Sequence, residues 1–226
     1  MAVYQGSRYL QEQMDSILIQ CGPDDQIVCS CDASTDGSWE ILQAYARRDS
    51  RVEPCRGPGK GVVANFEHAL RRCTGDVVFL SDQDDRWRID KREKVLQTMQ
   101  KTGASLILHD AQIIDADGRV MEESYFAMRG SRPGYWKNLW KNSYIGCCMA
   151  FTQTLCQAVL PFPTPIPMHD QYIGLRAEQR HAVAFCPEPL IQYRRHAQNA
   201  TDQMHADLKT MLQWRWQMYR ALRRGR

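Results

Sequence analysis

Short apolar runs alternate with amphipathic segments along the first half of this chain, and no other feature limits its fold as strongly. Strands are predicted at 26–30, 51–55, 76–81 and 104–109. Between them, apolar residues recur every three or four positions, as they do on the buried face of a helix. Strands that alternate with helices in this way are typical of βαβ units. The sequence therefore predicts an α/β fold with a mostly parallel sheet.

The second half of the chain is less regular. Residues 111–143 are rich in loops and aromatic side chains. The elements predicted after them are a strand at 144–151, helices at 152–160 and 170–179, strands at 182–186 and 190–195, and a long helix at 202–224. At the other end, only residues 1–4 are available for a strand before the first predicted helix at 8–19. They leave little room for the opening strand that a βαβ fold requires.

Composition narrows the class of protein further. The 226 residues suit one α/β domain with a short extension, and a net charge of +3 is too small to indicate a nucleic-acid partner. The sequence contains no apolar run of about 18 residues and no apolar segment of a signal peptide, so we expect a cytoplasmic protein. The nine cysteines lack the spacing of a zinc ribbon, and we expect free thiols.

An acidic run follows the clearest predicted strand. Residues 82–85 read Asp-Gln-Asp-Asp, directly after the strand at 76–81. Ligands of open α/β sheets bind beyond the carboxyl ends of the strands. Three carboxylates this close repel one another unless a cation compensates them, and Mg²⁺ or Mn²⁺ bound by oxygen ligands commonly bridges to substrate phosphates. The run therefore indicates a metal site, although a solvated acidic turn remains the alternative.

Other candidate residues also lie at element ends. Asp32 follows the strand at 26–30 and could accept hydrogen bonds from a ribose or a base, or it could simply close an Asx-turn. Asp170 opens a predicted helix and could act as a general base or as a helix cap. Near the last strand, Arg194 or Arg195 could pair with phosphate, and His196 could bind a metal, contact phosphate or be an ordinary surface histidine.

Together these segments resemble family 2 glycosyltransferases, which have the GT-A fold, and within them the bacterial rhamnosyltransferase-like group. The likeness runs from residue 1 to about residue 200. Its segments are the opening loop and helix at 1–18, the turn Asp-Ala-Ser-Thr-Asp-Gly at 32–37, the acidic segment at 79–87, Gly-Cys-Cys-Met-Ala-Phe at 146–151, His-Asp at 169–170, and the closing segment at 192–199. The implied fold is a Rossmann-like mixed sheet flanked by helices.

The resemblance implies a role for each group of residues. For the donor nucleotide it implies contacts from Val3, Tyr4, Asp32, Lys60, Asn65, Asp82 and Gln83. For the donor sugar or the acceptor it implies contacts from Trp87, Gly146, Cys147, His169 and Arg194. For Mn²⁺ or Mg²⁺ on the diphosphate it implies the ligands Asp84, Asp85 and His196. Asp170 would deprotonate the acceptor hydroxyl for an in-line attack that inverts the anomeric carbon.

Two features depart from the family pattern. Cys31 and Ala33 stand where the family usually has Asp and Gly, although Asp32 between them is retained. The first strand looks truncated, so we expect either an earlier start of the chain or a missing strand beneath the nucleotide, which would weaken folding and donor binding.

The expected organisation is a glycosyltransferase domain at 1–200 followed by a basic amphipathic helix at 201–226. Aromatic residues among six Lys/Arg between Lys209 and Arg226 suit an anionic membrane surface, but packing on the domain or on a second subunit of a homodimer is the alternative. The expected partners are a nucleotide-diphosphate sugar and a saccharide or lipid-linked acceptor, in cell-surface polysaccharide synthesis.

Two other functions remain open from the sequence. A GT-A-like nucleotidyltransferase usually has a Gly-rich N-terminal loop with a basic residue, which this sequence lacks. A non-catalytic sugar-nucleotide-binding relative would fit the short start, but the presence of Asp84, Asp85 and Asp170 argues against it.

Overall fold

The computed structural model describes residues 1–196 and 207–224. The strands are β1 (Ala2–Val3), β2 (Ile27–Cys31), β3 (Val52–Arg56), β4 (Val77–Phe79), β5 (Arg86–Trp87), β6 (Leu106–Ile114), β7 (Val120–Glu122), β8 (Met149–Thr152) and β9 (Val183–Arg194). The helices are α1 (Ser7–Leu18), α2 (Ser38–Arg48), α3 (Val62–Leu70), α4 (Lys91–Thr102), α5 (Tyr125–Arg129), α6 (Tyr135–Trp140), α7 (Gln153–Val159), α8 (His169–Glu178) and α9 (Leu208–Arg224). A 3₁₀ turn spans Gly146–Cys148.

The strands form one small parallel sheet and one larger mixed sheet. The small sheet has the order β1-β2-β3, and both of its pairings are parallel. The larger sheet has the order β4-β8-β6-β9-β5, with β7 paired to β6, and only β6 and β9 run parallel. The prediction of a mostly parallel sheet is therefore wrong, whereas the mixed sheet implied by the resemblance is confirmed. Hydrophobic periodicity reports which residues are buried and carries no information on strand direction.

The opening strand is present, although it has only two residues. Ala2 and Val3 pair with Ser30 and Cys31 of β2. The amino group of Met1 donates to the carbonyl of Val28 at 2.7 Å, which extends the contact along β2. The amide of Ala2 also donates to the carbonyl of Ser81 at 3.3 Å, and this bond links the small sheet to the segment after β4.

Strand β6 lies at the centre of the core because both of its faces are covered. Successive side chains of a strand point to opposite faces, so a strand covered on both sides is apolar throughout. Leu106 and Leu108 belong to the main apolar cluster, whereas Ile107 belongs to a second cluster with Val95 of α4. All four of these side chains are fully buried.

Several elements of the second half differ from their predicted bounds. The predicted strands at 182–186 and 190–195 form one strand, β9, which bulges so that Asp110 of β6 pairs with Pro189 immediately after His109 pairs with Cys186. Prolines at 187 and 189 cannot donate to the ladder, which explains both the bulge and the predicted break. The predicted strand at 144–151 begins only at Met149, because the residues before it form the 3₁₀ turn.

The final helix packs on the rest of the protein through one face. Met218, Ala221 and Leu222, at helical spacing, are buried against the body, and α9 contacts α6 and α8. The predicted start at 202 lies outside the described residues. Among residues 1–196 and 207–224, no helix combines the length and the hydrophobicity needed to cross a bilayer.

The position of β6 predicts the effect of a cavity there. Leu108→Ala removes a side chain that is fully buried, and we expect it to lower the free energy of unfolding by about 2–5 kcal/mol. Chemical denaturation measures this. Val120→Ala, on the exposed edge strand β7, is the control and should change stability by less than about 0.5 kcal/mol. Equal effects of the two substitutions would contradict the central position of β6.

Candidate active site

The ends of β2 and β4 bring two carboxylate-bearing segments to the same edge of the molecule. The amide of Asp32, after β2, donates to the carbonyl of Val3 at 2.7 Å, and the amide of Ala2 donates to Ser81, directly before the acidic run. Strand β1 therefore lies between the two segments. This is the arrangement that the positions of Asp32 and Asp82 at strand ends predict.

Asp32 shapes the glycine-rich loop at 57–61. Its carboxylate is almost completely buried and accepts hydrogen bonds from the amides of Gly59 and, at 3.2 Å, of Gly61. A Cβ atom at Gly57 would lie 2.6 Å from the side-chain oxygen of Asn65 and 2.8 Å from that of Asp32, so only glycine fits there. Asn65 is itself buried and donates to the carbonyl of Ser30 at 3.0 Å.

Lys60, at the tip of this loop, is exposed beside the Asp32 carboxylate. The amides of its neighbours Gly59 and Gly61 donate to Asp32, which fixes the loop that carries Lys60. Sequence reasoning identified Asp32, Lys60 and Asn65 but missed Gly57, although the glycine content of the loop was a signal of a close backbone approach.

Gln83 joins the acidic run to the opening strand. Its side-chain oxygen accepts from the amide of Tyr4 at 2.6 Å, and its side-chain nitrogen donates to the carbonyl of Tyr4 at 2.7 Å. The side-chain amide of Gln83 thus makes the two backbone hydrogen bonds with Tyr4 that a neighbouring strand would make. Tyr4 is 60% exposed. Val3 is fully buried, so its side chain supports the edge while its carbonyl orients Asp32.

Three side chains of the acidic edge could hold a cation. One ligand atom from each of Asp82, Asp85 and Cys147 lies within 4.8 Å of the others. Asp85 is completely buried; its Oδ1 accepts from the amide of Arg194 at 3.0 Å, and its Oδ2 has no hydrogen-bond partner among the described residues. A buried acceptor without a partner is costly, and a cation would satisfy it.

Electrostatics also favour a cation at this position. Burial and the neighbouring Asp84 raise the pKa of both Asp82 and Asp85, because two charges of the same sign are held in a poorly solvated place. A hydrogen bond with Cys148 and burial raise the pKa of the Cys147 thiol, which keeps it protonated. The donor set is therefore dominated by carboxylate oxygens, which fit Mg²⁺ or Mn²⁺.

Lys91 is the buried cation next to this cluster, and sequence reasoning missed it. Its ammonium donates to the carbonyl of Cys147 at 2.8 Å and lies 4.0 Å from the centroid of the Trp87 ring. Burial lowers the pKa of Lys91 to about 8. One signal was available, because Lys91 stands four residues before the buried Val95 and therefore on the inner face of α4. Trp87, predicted to contact the sugar or the acceptor, is itself buried.

The end of β9 folds back onto the acidic run. Nε2 of His196 lies 2.8 Å from Oδ2 of Asp84, and both side chains are largely buried. Arg194 donates to the carbonyl of Asp84 at 2.9 Å and to Glu12 at 2.6 Å, and its guanidinium lies 4.6 Å from the centroid of the Tyr9 ring. Of the three predicted metal ligands, Asp84 and His196 thus contact each other, whereas Asp85 lies with Asp82.

His169 and Asp170 begin α8 and approach the 3₁₀ turn. A Cβ atom at Gly146 would lie 3.3 Å from Nε2 of His169 and 3.8 Å from Cβ of Asp170. The ring of His169 stacks on Phe66 at 4.1 Å, and burial lowers its pKa to about 3, so the imidazole is neutral. The residue before the helix is Met168, so Asp170 does not cap it.

Burial raises the pKa of Asp170 to about 6. Its Oδ1 accepts from the amide of Gln171 at 2.6 Å, which orients the carboxyl group. Asp170 is also close enough to Asp82 for the two charges to interact. A carboxylate with a pKa in this range can accept a proton near neutral pH, as a general base does.

Comparison with known proteins agrees with these features. A family model described as glycosyl transferase family 2 matches residues 1–160. The teichuronic acid biosynthesis glycosyltransferase TuaG of Bacillus subtilis is 29% identical over 147 residues, which are 64% of this chain and 56% of TuaG. The chain thus spans about half the length of this curated relative.

Solved structures give the fold. Residues 1–349 of TarS from S. aureus, in complex with UDP-GlcNAc, superpose with a TM-score of 0.72 at 14% identity, over 99% of this chain and 64% of that one. The mannosyltransferase PcManGT of Pyrobaculum calidifontis, in complex with GDP-Man and Mn²⁺, gives a TM-score of 0.60 at 16% identity, over 99% of this chain and 70% of that one. The fold is GT-A, as the resemblance implied.

The buried Asp85 carboxyl predicts how stability depends on pH. A raised pKa in the folded state means that the folded protein binds more protons than the unfolded one, so stability falls as pH rises above about 4, the ordinary value. Without metal at pH 8, Asp85→Asn should therefore be more stable than the natural protein by about 1–3 kcal/mol, because the amide cannot ionise and so carries no buried charge beside Asp84 and Asp82. The difference should shrink towards pH 4.

Chemical denaturation in EDTA at pH 4.5 and pH 8 measures this effect, and Asp24→Asn, at an exposed position, is the control. Added Mn²⁺ should raise the stability of the natural protein at pH 8 and leave that of Asp85→Asn unchanged. A variant that is less stable than the natural protein in EDTA at pH 8 would contradict the electrostatic account.

Proposed function

The chain belongs to glycosyl transferase family 2, and we propose that it is an inverting glycosyltransferase. It moves a sugar from a nucleotide-diphosphate sugar to a hydroxyl of a saccharide or lipid-linked acceptor. The observation that carries this proposal is the presence of four carboxyl groups at one edge: Asp32 on its loop, buried Asp85 with Asp82, and Asp170 beside Gly146. The name of TuaG, which refers to teichuronic acid biosynthesis, supports a role in surface polysaccharide synthesis.

The donor nucleotide is proposed to lie against β1 and the Asp32 loop. Val3 and Asn65 support this edge from below, and the exposed ring of Tyr4 offers a stacking surface. Lys60 is placed to pair with the diphosphate, as charged donors commonly do with phosphate oxygens. Gln83 keeps Tyr4 in position, so its proposed contribution to donor binding includes the orientation of that residue.

A divalent cation, Mn²⁺ or Mg²⁺, is proposed to bind the diphosphate, where it would neutralise the charge that develops on the leaving group. Asp84, Asp85 and His196 are its proposed ligands. The unpartnered Oδ2 of Asp85 supports this, and Asp82 lies close enough to contribute either to the cation or to the ribose. His196 contacts Asp84 at 2.8 Å, and Arg194 donates to the carbonyl of Asp84, so the end of β9 lies on the residue next to Asp85.

Asp170 is proposed as the general base. It takes the proton of the acceptor hydroxyl while that oxygen attacks the anomeric carbon from the side opposite the diphosphate, and a single displacement of this kind inverts the configuration. His169, Gly146, Cys147 and Trp87 are proposed to define the space for the sugar or the acceptor. The lack of a side chain on Gly146 allows the 3₁₀ turn to approach His169 and Asp170 closely.

The finer assignments rest on the motif resemblance alone. It favours the rhamnosyl ester of deoxythymidine diphosphate as the donor. A cytoplasmic location is proposed in addition. A homodimer remains a proposal, since the sequence offers α9 as one of its candidate contacts. A non-catalytic binding protein is less favoured. Binding alone does not require a general base, and Asp170 has the burial and the raised pKa of one.

The Asp170 assignment predicts a separation of binding from turnover. Asp170→Asn should lower the turnover number by about 10²–10⁴, the usual contribution of a general base, and leave the Kd for the donor within about twofold. Nucleoside diphosphate release is measured with the donor that raises the melting temperature most in a screen with Mn²⁺ and a saccharide acceptor.

The pH profile provides a second readout for Asp170. Since protonation disables a base, turnover of the natural protein should rise with pH through about 6 and then level off. Asp24→Asn should retain both the rate and the profile. Undiminished turnover by Asp170→Asn would assign the base to another residue.

A further inference from the structure

The outward faces of α6 and α9 carry an aromatic and basic surface that the proposed transfer reaction does not use. Its apolar members are Trp136, Trp140, Leu212 and Trp216, which are 72%, 65%, 55% and 59% exposed. We call these four residues and the cations around them the tryptophan surface. Large exposed apolar side chains in one place mark an interaction site more often than isolated ones do.

The two helices are fixed to each other, so the tryptophan surface is one continuous feature. The guanidinium of Arg215 donates through Nε and Nη2 to the carbonyl of Trp140 at 3.1 and 3.0 Å. It also lies 4.3 Å from the centroid of the Trp140 ring. The opposite face of α9 is held down by Met218 and Leu222, which are fully buried. The exposed tryptophans therefore project from an anchored helix pair.

The charged residues within α6 and α9 are all cations. Lys209, Arg220 and Arg223 are exposed and share the outward face of α9 with Leu212 and Trp216, as their spacing along the helix requires. The sequence contains no Asp or Glu between residues 125 and 169, which include α6, and none between 208 and 226. The cations thus have no acidic neighbours on their own helices.

We propose that the tryptophan surface docks on an anionic lipid bilayer. Tryptophan rings favour the headgroup level of a membrane, and Lys and Arg among them pair with anionic headgroups while their stems lie along the apolar boundary. The tryptophans of α6 belong to this surface as well, which the sequence of the final helix alone does not predict. This proposal does not depend on the transfer reaction, and either can fail without the other.

Two other occupants fit the surface less well. In a symmetric dimer the same patch meets itself, which would set the cations of one copy against those of the other without an acid to pair them. A nucleic acid would satisfy the cations and stack on the tryptophans but would gain nothing from Leu212, whereas a bilayer uses all of them.

The test is co-sedimentation of the full chain with vesicles of phosphatidylcholine alone and of phosphatidylcholine with 30% phosphatidylglycerol. The variants are Trp136→Ser/Trp216→Ser, which leaves the Trp140–Arg215 contact intact, and Lys209→Glu/Arg220→Glu/Arg223→Glu. The matched controls are Ile19→Ser, a 71% exposed apolar residue after α1, and Lys101→Glu, an exposed cation on α4. Circular dichroism melting confirms that each variant folds.

We expect the natural protein and both controls to bind the anionic vesicles. Their binding to neutral vesicles should be weaker by about tenfold or more. Each surface variant should lose about tenfold or more of the anionic binding, and 0.5 M NaCl should weaken it because salt screens the headgroup charge. Equal sedimentation of the natural protein and the tryptophan variant would overturn the proposal. If the natural protein does not sediment with vesicles, two other results would also overturn the proposal. One is a dimer that the tryptophan variant abolishes, and the other is binding of a single-stranded oligonucleotide.

Discussion

The carboxyl groups of Asp82 and Asp85 lie against each other at the sheet edge, and the folded chain must hold that concentration of negative charge away from water. The buried ammonium of Lys91 is one cation of this neighbourhood, and the buried guanidinium of Arg194 is another. Lys91 binds the carbonyl of Cys147, so the same side chain that compensates the acids also fixes the turn that faces Asp170. Four carboxyl groups, of Asp82, Asp84, Asp85 and Asp170, interact at this edge. They outnumber the two buried cations, Lys91 and Arg194, and Arg194 is already paired with Glu12. The remaining excess of acidic groups makes the edge suitable for a divalent cation and a diphosphate.

The surrounding elements act as supports for that edge. Strand β1, although only two residues long, separates the Asp32 loop from the acidic run and bonds to both segments. Gln83 closes the gap beyond β1 with two hydrogen bonds of its side chain to Tyr4. The end of β9 then covers the other side through Arg194 and His196. Residues far apart in the sequence thus converge because parallel strand ends and one returning strand meet at a single edge.

Much of this could be predicted from the sequence, and the limits have physical causes. Hydrophobic periodicity predicted most of the helices and strands. The positions of carboxylates after apolar strands indicated Asp32 and the acidic run, and the start of a predicted helix indicated Asp170. Strand direction and order were not accessible, because burial patterns are the same for parallel and antiparallel neighbours. The side-chain contacts of Lys91 and Gln83 were not accessible either, since they depend on which distant backbone atoms the fold brings within reach. The sequence placed the tryptophans of α6 in an aromatic, loop-rich region and did not predict their proximity to α9, which depends on the tertiary structure.

The central claim is that the excess negative charge at this edge binds a nucleotide-diphosphate sugar through a divalent cation. Isothermal titration of a panel of such sugars, in Mn²⁺ and in EDTA, with the natural protein and with Asp84→Ala, tests it most directly. The account predicts that at least one sugar nucleotide binds in Mn²⁺ and that EDTA or Asp84→Ala weakens its binding by about tenfold or more. Binding that is equally tight in EDTA and in Asp84→Ala, or no binding by any member of the panel in Mn²⁺, would contradict it.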